Sequence, residues 1–547
     1  MKHPLKLLLL IGFITISSLV WYGVQLVPKA SLPKPTFITA DSTPEKKPSQ
    51  DTSKPANPPS AASPSAVKQS SSPSTASSQI TAPKQLAIKQ TVKKEYTYHA
   101  LVTSNDPLTQ GSWALSALNA QTAWDTTTGS GVTVAVIDTG FALSHQDLAS
   151  QWYTNTGETG VTLLGDPCWT GVAANKSSNN CDDDGNGYID DWRGWDFVAQ
   201  NNSPQAGQLN PDGEAAWHGT SVAGLVGAAG DNGIGIATVA WNNTLMPLQA
   251  LDDNGDGYTS DVVAAVYYAV DNGASVINMS LGGSDNDPAL ADAINYAYTH
   301  DVVVVAAAGN CGTGQEAGCD PAQPGVMGYP ALDAHVIAVG ATDSNNNRAS
   351  FSSYGPGLDI TAPGSGSIVS PAWSPSNGTS LYATSLYGTS FASPLVASYV
   401  GLIKSVRPST NVDDITAIVD GTARKVAGMG SSLYLASYGH GIANAAQGIG
   451  IASALNASSA MPTLWQSGNQ KAEHHFTSST TLTSGCSVDG SLPCTIGAQN
   501  DAGYDRYLPY QTTGAWSWSG STLGTGEWTI RARSGDKTSP AYILLYK

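Results

Sequence analysis

The chain has 547 residues, only 12% of them charged, and its formal net charge is −17. Residues 1–104 hold 12 lysines and 4 acidic residues, whereas residues 105–547 hold 13 basic and 38 acidic residues. A body this acidic excludes nucleic-acid binding by neutralisation of phosphates, and the length predicts about two to four domains.

The first 27 residues predict a membrane anchor or an export signal. Lys2 and Lys6 precede an uncharged apolar run, residues 7–27, which is long enough to span a bilayer. A cleaved signal usually has a shorter apolar core and a small-residue cleavage site, and residues 28–30 make a poor site of this kind. We favour a retained anchor, so that the membrane is a partner, with a cleaved signal as the alternative. A retained anchor and a cleaved signal would each place the rest of the chain outside the cytoplasm.

Residues 28–95 are rich in Pro, Ser, Thr, Ala and Lys, and no aromatic residue occurs between Phe37 and Tyr96. Such a segment has too little apolar surface to bury a core. Its composition therefore predicts an extended, disordered linker.

Three later segments supply an Asp, a His and a Ser in contexts that suit catalysis. Residues 132–137 are a continuous apolar run typical of a buried parallel strand, and Asp138 follows where open α/β sheets hold their sites. His218 and Ser390 each open an apolar stretch that predicts a helix, with Pro394 in the first turn of the second. Singly, the three would serve as a turn residue, a core histidine and an N-cap. Together they favour a serine nucleophile whose proton passes to an imidazole that a carboxylate orients.

These segments resemble the motifs of the subtilisin-like serine proteases, the subtilase family. They are Asp138-Thr-Gly, His218-Gly-Thr-Ser and Gly-Thr-Ser390-Phe-Ala-Ser-Pro, together with Ala-Ala-Gly-Asn310. The resemblance covers about residues 105–447. It implies a serine endopeptidase in which Ser390 attacks the peptide carbonyl and His218 acts as general base and then as general acid. Asp138 would orient His218, and the Asn310 side chain with the Ser390 backbone N–H would form the oxyanion hole.

Further apolar runs predict strands within residues 275–280, 302–309 and 336–339, and residues 261–270 predict a helix. Alternating strands and helices indicate an α/β fold with a doubly wound, mostly parallel sheet and helices on both faces. We predict that the peptidase domain covers residues 96–455. Residues 460–547 are rich in Thr, Ser, Gly and aromatic residues, which predicts a small C-terminal β-sandwich. Its aromatic residues would form either its core or a binding face.

The resemblance also implies a primary specificity pocket for a substrate side chain. Its walls would be Ser280, Leu281, Gly282, Ala307, Ala308 and Gly309, with Gly328 at its base. Small apolar walls and a glycine at the base predict a preference for large uncharged side chains. The expected partners are protein or peptide substrates, and we expect a monomer. A non-catalytic surface protein on the same scaffold is the rival function, which labelling by a serine-directed inhibitor would separate.

Residues 182–191 have the oxygen spacing of a calcium-binding loop, with a glycine at its sixth position to allow a sharp turn. Position 12 is Arg193 rather than Glu, so the segment is not a complete EF-hand. A surface turn without a cation is the alternative, but clustered carboxylates favour Ca²⁺. The expected ligands are Asp182, Asp184, Asn186, Tyr188 and Asp190 or Asp191.

The family resemblance implies a second calcium site. Its ligands would be Asp147 and Asn232, with the carbonyl oxygens of Ile234 and Ile236. The role of Ca²⁺ at either site would be structural.

The six cysteines fall into three close pairs, 168 with 181, 311 with 319 and 486 with 494. Six cysteines allow 15 pairings, of which pairing between neighbours is the simplest. An even number of cysteines after an export segment predicts disulfides and an oxidising compartment. The absence of a Cys-x-x-Cys motif argues against zinc.

Overall fold

The computed structural model describes residues 34–39, 102–213, 215–316, 318–430, 432 and 434–456, and the backbone of nine short strands between residues 463 and 546. The strands of the first part are β1 (Phe37–Thr39), β2 (Thr133–Asp138), β3 (Trp195–Asp196), β4 (Thr244–Gln249), β5 (Val276–Met279), β6 (Val303–Ala307), β7 (Val336–Thr342), β8 (Ile360–Pro363), β9 (Ser365–Gly366), β10 (Ser370–Ala372), β11 (Leu381–Ala383) and β12 (Leu386–Tyr387). The helices are α1 (Trp113–Ala117), α2 (Ala120–Trp124), α3 (His218–Gly227), α4 (Thr259–Asp271), α5 (Pro288–Thr299), α6 (Thr389–Val406), α7 (Val412–Gly421) and α8 (Ala445–Asn456).

Seven strands form a parallel sheet in the order β3-β4-β2-β5-β6-β7-β8. The strand order changes direction at β2, which lies between β4 and β5, and such a switch point is where open α/β sheets hold their sites. The register pairs Asp138 with Gln249 and Ile137 with Met279, so the carboxyl ends of β2, β4 and β5 meet at one edge. The predicted doubly wound α/β fold is confirmed.

Both faces of this sheet are covered by helices. In β2, Val134 and Val136 belong to the core cluster that includes residues of α3 and α6, whereas Ala135 and Ile137 belong to the cluster that includes residues of α4 and α5. Alternate side chains of a strand point to opposite faces, so burial on both sides requires a continuous apolar run. This is why β2, β5, β6 and β7 could be predicted from sequence, whereas β3, β4 and β8 were not predicted.

Helix α6 begins earlier than the sequence indicated. It starts at Thr389, after Gly388, so Pro394 lies inside the helix and not in its first turn. The expectation for Pro394 was therefore wrong. A proline at this position has no N–H to donate to the carbonyl oxygen of Ser390, four residues earlier.

The predicted linker contains a strand. Residues 37–39 form β1, which pairs antiparallel with β11, and β11 pairs in turn with β10. The prediction of a disordered segment was therefore wrong for residues 34–39. The rest of that segment and residues 1–27 lie outside the described residues. Within the described part of the chain, no helix has both the length and the apolar character needed to cross a membrane.

The last part of the chain is β-rich, as its composition predicted. Its strands are β13 (Thr463–Gln466), β14 (Glu473–His475), β15 (Thr481–Ser487), β16 (Thr495–Asn500), β17 (Asp505–Tyr507), β18 (Gly514–Ser519), β19 (Trp528–Ser534), β20 (Lys537–Thr538) and β21 (Leu544–Tyr546). One sheet has the order β13-β15-β18, and a second contains β14, β16, β17 and β19–β21. The packing of a sandwich and the role of its aromatic residues stay predictions.

Two of the expected disulfides are present. Cys168 is bonded to Cys181, and Cys311 is bonded to Cys319. The third pair, Cys486 and Cys494, lies outside the residues whose side chains are described. Pairing between neighbours was therefore the correct choice for the two described pairs.

Candidate active site

Asp138 and His218 meet at the carboxyl edge of the sheet. Asp138 is the last residue of β2 and is fully buried, while His218 is the first residue of α3. The imidazole Nδ1 lies 2.8 Å from Asp138 Oδ1, and the same oxygen accepts a 2.8 Å hydrogen bond from the Thr139 backbone N–H. A carboxylate acceptor makes Nδ1 the protonated nitrogen, which leaves Nε2 free to accept a proton.

A close approach of two backbones brings α3 to Asp138. A Cβ on Gly219 would lie 2.5 Å from the carbonyl oxygen of Gly140, so only glycine fits there. The Thr139 hydroxyl donates to the Ala215 carbonyl oxygen and accepts from the Gly219 N–H. These contacts explain why the Asp138-Thr-Gly and His218-Gly segments carry small residues beside the ionisable ones.

The His218 imidazole is more basic than an ordinary histidine. Its burial opposes protonation, but the charge of Asp138 and the hydrogen bond to it together outweigh burial and raise the pKa of His218. A base whose pKa is raised by an adjacent carboxylate suits the transfer of a proton from a weakly acidic hydroxyl.

Ser390 is held against the end of β5. Its Oγ donates to the carbonyl oxygen of Ser280 at 3.3 Å, and the Ser280 hydroxyl donates to the carbonyl oxygen of Ser390 at 2.8 Å. The second bond uses the acceptor that Pro394 leaves without its helical donor. Ser280 therefore also positions the first turn of α6.

A buried Asn extends this connection. Asn278, in β5, donates from Nδ2 to Ser280 Oγ at 3.0 Å and accepts from the Ser393 hydroxyl at 2.8 Å. Sequence reasoning missed Asn278 and Ser393. Asn278 could have been recognised from its amide, because a polar side chain inside an apolar strand needs hydrogen-bond partners when it is buried.

Asn310 follows β6 and is oriented by the residue before Ser390. Its Oδ1 accepts from the Thr389 backbone N–H at 2.9 Å and from the Thr389 hydroxyl at 3.1 Å. Since a backbone N–H can only donate, the side-chain oxygen must face Thr389. The NH₂ group of Asn310 is therefore directed away from that residue and can donate elsewhere.

The segments predicted to line the specificity pocket are brought together. Residues 280–282 follow β5 and residues 307–309 include the end of β6, two neighbouring strands whose ends meet at one edge. Gly283 and Tyr329 exchange two backbone hydrogen bonds, and the Gly328 N–H donates to the Ala308 carbonyl oxygen. A Cβ on Gly328 would lie 2.8 Å from the Gly283 carbonyl oxygen, so glycine permits this close approach. The Tyr329–Pro330 peptide bond is cis.

A cavity of about 410 Å³ opens beside His218. Ser280, Leu281 and Gly282 belong to its lining, with Leu251 and Tyr258. Its lining also includes three carboxylates, Asp256, Asp285 and Asp287. No Lys or Arg occurs between residues 193 and 348, so this side of the site carries negative charge.

Aromatic rings cover another side of His218. The Phe391 ring, next to Ser390 in the chain, lies 5.4 Å from the imidazole between ring centroids. Trp217 precedes His218 and stacks on Phe391 with an interplanar angle of 17°. These ring contacts therefore bring the start of α6 next to the start of α3.

A group of three carboxylates could hold a metal ion. Glu158, Asp182 and Asp184 each place an oxygen within 4.8 Å of the others. Glu158 is fully buried, and among the described residues its Oε2 has no hydrogen-bond partner. Burial raises the pKa of the Glu158 carboxyl to about 7, against hydrogen bonds from the Asp183 and Asp184 N–H groups. Sequence reasoning missed Glu158, because no local spacing relates it to the loop at residues 182–191.

The other residues predicted for this loop make different contacts. Asp190 accepts hydrogen bonds from the N–H groups of Asn179 and Asn180, and it is not part of the three-carboxylate group. Asn186 Oδ1 accepts from the Tyr188 N–H, and its Nδ2 donates to Asp184 and Asp191. The structure thus groups Glu158 with Asp182 and Asp184, and the role of Asp190 or Asp191 as a further ligand stays a prediction.

The residues of the second expected calcium site are also adjacent. Asp147 accepts hydrogen bonds from Asn232 Nδ2 at 3.1 Å and from the Ile236 N–H at 2.9 Å, while Asn232 Oδ1 accepts from the Ile234 N–H. Both oxygens of Asp147 thus accept hydrogen bonds from N–H donors. Calcium binding at this second site stays a prediction.

Comparison with known proteins agrees with this geometry. The model of the Subtilase family matches residues 129–450. Thermitase of Thermoactinomyces vulgaris is 35% identical over 331 residues, which cover 60% of this chain and 94% of thermitase. Subtilisin DY of Bacillus licheniformis is 38% identical over 316 residues, 58% of this chain and 90% of that protein. An extracellular protease of Xanthomonas campestris pv. campestris is 36% identical over 374 residues, 65% of this chain and 58% of that protein.

The family match includes all seven strands of the parallel sheet and the helices α3 and α6. It therefore contains the sheet edge where Asp138, His218, Asn310 and Ser390 lie. The chain belongs to the subtilase family and is a serine endopeptidase.

Proposed function

We propose that this chain hydrolyses peptide bonds of proteins with Ser390 as nucleophile, His218 as general base and acid, and Asp138 as the residue that orients His218. The observation that carries the proposal is the 2.8 Å contact between His218 Nδ1 and Asp138 Oδ1, with the resulting rise in the pKa of His218. The contact between the His218 and Phe391 rings supports the placing of Ser390 next to this pair.

In the first half-reaction, Ser390 Oγ forms a bond to the substrate carbonyl carbon while its proton passes to His218 Nε2. This requires the hydroxyl to turn from the Ser280 carbonyl oxygen toward the imidazole, a rotation about one side-chain bond. The tetrahedral intermediate collapses as the C–N bond breaks and His218 gives its proton to the leaving amine. Water then repeats these steps on the acyl-enzyme and restores Ser390.

The negative charge that develops on the carbonyl oxygen needs hydrogen-bond donors. We assign this role to the Asn310 NH₂ group and the Ser390 backbone N–H. The first turn of α6 has N–H groups without helical acceptors, and Thr389 holds the Asn310 oxygen so that its NH₂ group is free to face the cleft. Donors fixed before the reaction cost no reorganisation when the charge appears.

We expect Asn310→Ala to lower kcat by about 10²–10³-fold with little change in KM, because the NH₂ group acts mainly on the transition state. Steady-state kinetics on one peptide substrate would measure both parameters. Asn310→Asp is the matched variant, since it keeps an oxygen to accept from Thr389 but loses the NH₂ donor. It should lose activity to a similar extent. Near-parental kcat in Asn310→Asp would mean that the contact with Thr389, and not the donor, matters.

We also propose that Ca²⁺ binds Glu158, Asp182 and Asp184 and stabilises the loop at residues 182–191. A buried carboxylate with one oxygen lacking a partner costs free energy, which a divalent cation would remove. The carboxylate oxygens of these residues suit a hard cation. The metal would be structural, because nothing in the proposed reaction requires it.

At a calcium concentration of 100 times Kd, binding should stabilise the native state by about 2.7 kcal/mol. We expect added CaCl₂ to raise the Tm of the parent relative to EDTA, and Glu158→Gln to reduce that shift. Asp190→Asn is the control, because Asp190 accepts hydrogen bonds from Asn179 and Asn180, which precede the loop. Differential scanning fluorimetry of the three proteins would measure the effect. A shift lost in Asp190→Asn but kept in Glu158→Gln would return the site to the residues expected from the sequence.

We place the peptidase domain outside the cytoplasm. The described disulfides at Cys168–Cys181 and Cys311–Cys319 support an oxidising compartment, and a relative bears the name extracellular protease. Attachment to a membrane through residues 1–27 is proposed on the sequence of that segment alone.

A further inference from the structure

Strand β1 comes from the amino-terminal segment but lies on the peptidase domain. Its register pairs Phe37 with Ala383, Ile38 with Tyr382 and Thr39 with Leu381. The Thr36 carbonyl oxygen accepts from both the N–H and the hydroxyl of Thr384, at 2.7 and 3.1 Å. Hydrogen-bonded pairs alternate along an antiparallel ladder, so Ile38 and Tyr382 form the next such pair.

Phe37 brings this strand to the catalytic centre. Its ring contacts Trp217 edge-on, with 5.9 Å between centroids. Trp217 directly precedes His218 and stacks on Phe391, which directly follows Ser390. One layer of aromatic rings therefore separates Phe37 from the proposed triad.

Strand β1 and the cavity of about 410 Å³ lie on different sides of His218. The cavity is lined by residues such as Leu251, Tyr258 and Leu281, and no residue of β1, β10 or β11 belongs to its lining. Phe391 is buried, whereas Trp217 is only partly buried. A substrate that enters the cavity and continues past Ser390 would next meet the Trp217 ring and the edge of β11. Extended peptides commonly bind by adding a strand to such an edge.

We propose, on the basis of the function above, that the edge of β11 and the Trp217 ring form a binding site for an extended peptide with an aromatic side chain. Residues 36–39 occupy this site in cis. Substrate residues beyond the scissile bond, on the side away from the cavity, compete for it, so long substrates must displace β1 while short ones need not.

Binding can be tested without catalysis in the full chain carrying Ser390→Ala. In one version residues 36–39 are replaced by Gly-Ser-Gly-Ser, and fluorescence anisotropy follows a labelled peptide with the sequence of residues 34–39. We expect the peptide to bind this version and to bind the version with intact β1 at least about tenfold more weakly, because the tethered strand has the advantage of high local concentration. Equal binding to both versions, or binding to neither, would overturn the proposal.

Kinetics with active enzyme supply the second test. Ile38→Pro removes the N–H of the hydrogen-bonded pair, and Ile38→Ala is the matched control that shortens the side chain but keeps the N–H. If β1 is docked about nine-tenths of the time, Ile38→Pro should lower KM about tenfold for a peptide extending past the scissile bond on both sides. Ile38→Ala should do so less.

A short chromogenic substrate that ends at the scissile bond separates competition by β1 from the proposed catalysis. We expect its KM and kcat to be the same in the parent and in both Ile38 variants. Equal changes for short and long substrates would overturn competition by β1. No hydrolysis of the short substrate by any version would instead refute the proposed catalysis, while the anisotropy result would still report on the peptide site.

Discussion

Ser390→Ala should remove almost all peptidase activity, by about 10⁶-fold in kcat if Ser390 acts with His218 as a unit. The variant should fold, because among the described residues the hydroxyl makes one hydrogen bond, at 3.3 Å to the Ser280 carbonyl oxygen, and such a bond contributes about 1 kcal/mol. Casein hydrolysis and a thermal melt of the same preparation would measure both properties.

Ser398→Ala is the matched control for Ser390→Ala. Ser398 lies in the same helix, is fully buried, and its hydroxyl oxygen accepts a 2.8 Å hydrogen bond from the Ala240 N–H. Its loss should lower Tm with little effect on kcat, because a buried N–H is left without a partner. Casein cleavage by Ser390→Ala at the parental rate would refute the assignment of the nucleophile.

Asp138→Asn should lower kcat by about 10⁴-fold, because an amide at this position favours the wrong tautomer of the imidazole. It should also move the pH profile. The reaction needs neutral His218, so in the parent kcat/KM should rise through a pKa above the ordinary histidine value of about 6.5. Asp138→Asn removes the charge and the hydrogen bond that raise the pKa of His218. Burial remains, and burial lowers this pKa. The acid limb of the residual activity should therefore shift to lower pH.

Asp196→Asn separates this effect from the general loss of a buried carboxylate. Asp196 ends β3 at the same edge of the sheet and is fully buried, but its hydrogen bonds come from the N–H groups of Val198 and Ala199. Its loss should change stability without moving the acid limb. An unchanged limb in Asp138→Asn would mean that Asp138 does not set the pKa of His218.

The elements that sequence predicted well share one physical property. A parallel strand covered on both faces is mostly apolar, so β2, β6 and β7 were evident as continuous runs, and β5 was evident as an apolar run interrupted by Asn278. Asp138 was evident because it follows such a run, and His218 and Ser390 were evident because each opens an apolar stretch that forms a helix. Asn310 needed the family resemblance, since its orientation depends on Thr389, far along the chain.

The parts that were missed depend on contacts between distant segments. Glu158 lies close to Asp182 and Asp184. It is outside the loop at residues 182–191, so the spacing of residues within that loop could not predict it. The strand β1 has only Phe37 and Ile38 as apolar residues, and its partner β11 lies at the other end of the domain sequence. Composition averages over a window of residues and therefore hides a three-residue strand. Pro394 was misplaced because the helix start depends on Thr389 and Gly388, before the apolar run.

The docking of β1 also limits how far the peptidase can reach from its amino terminus. Residues 28–36 separate the apolar run from β1, and fully extended they span at most about 30 Å. With β1 released, residues 28–101 would separate that run from the domain, with an upper limit of about 250 Å. If residues 1–27 hold the chain at a membrane, the docked enzyme is confined to proteins close to that surface. A long substrate that displaces β1 would thereby also lengthen the tether of the enzyme that cleaves it.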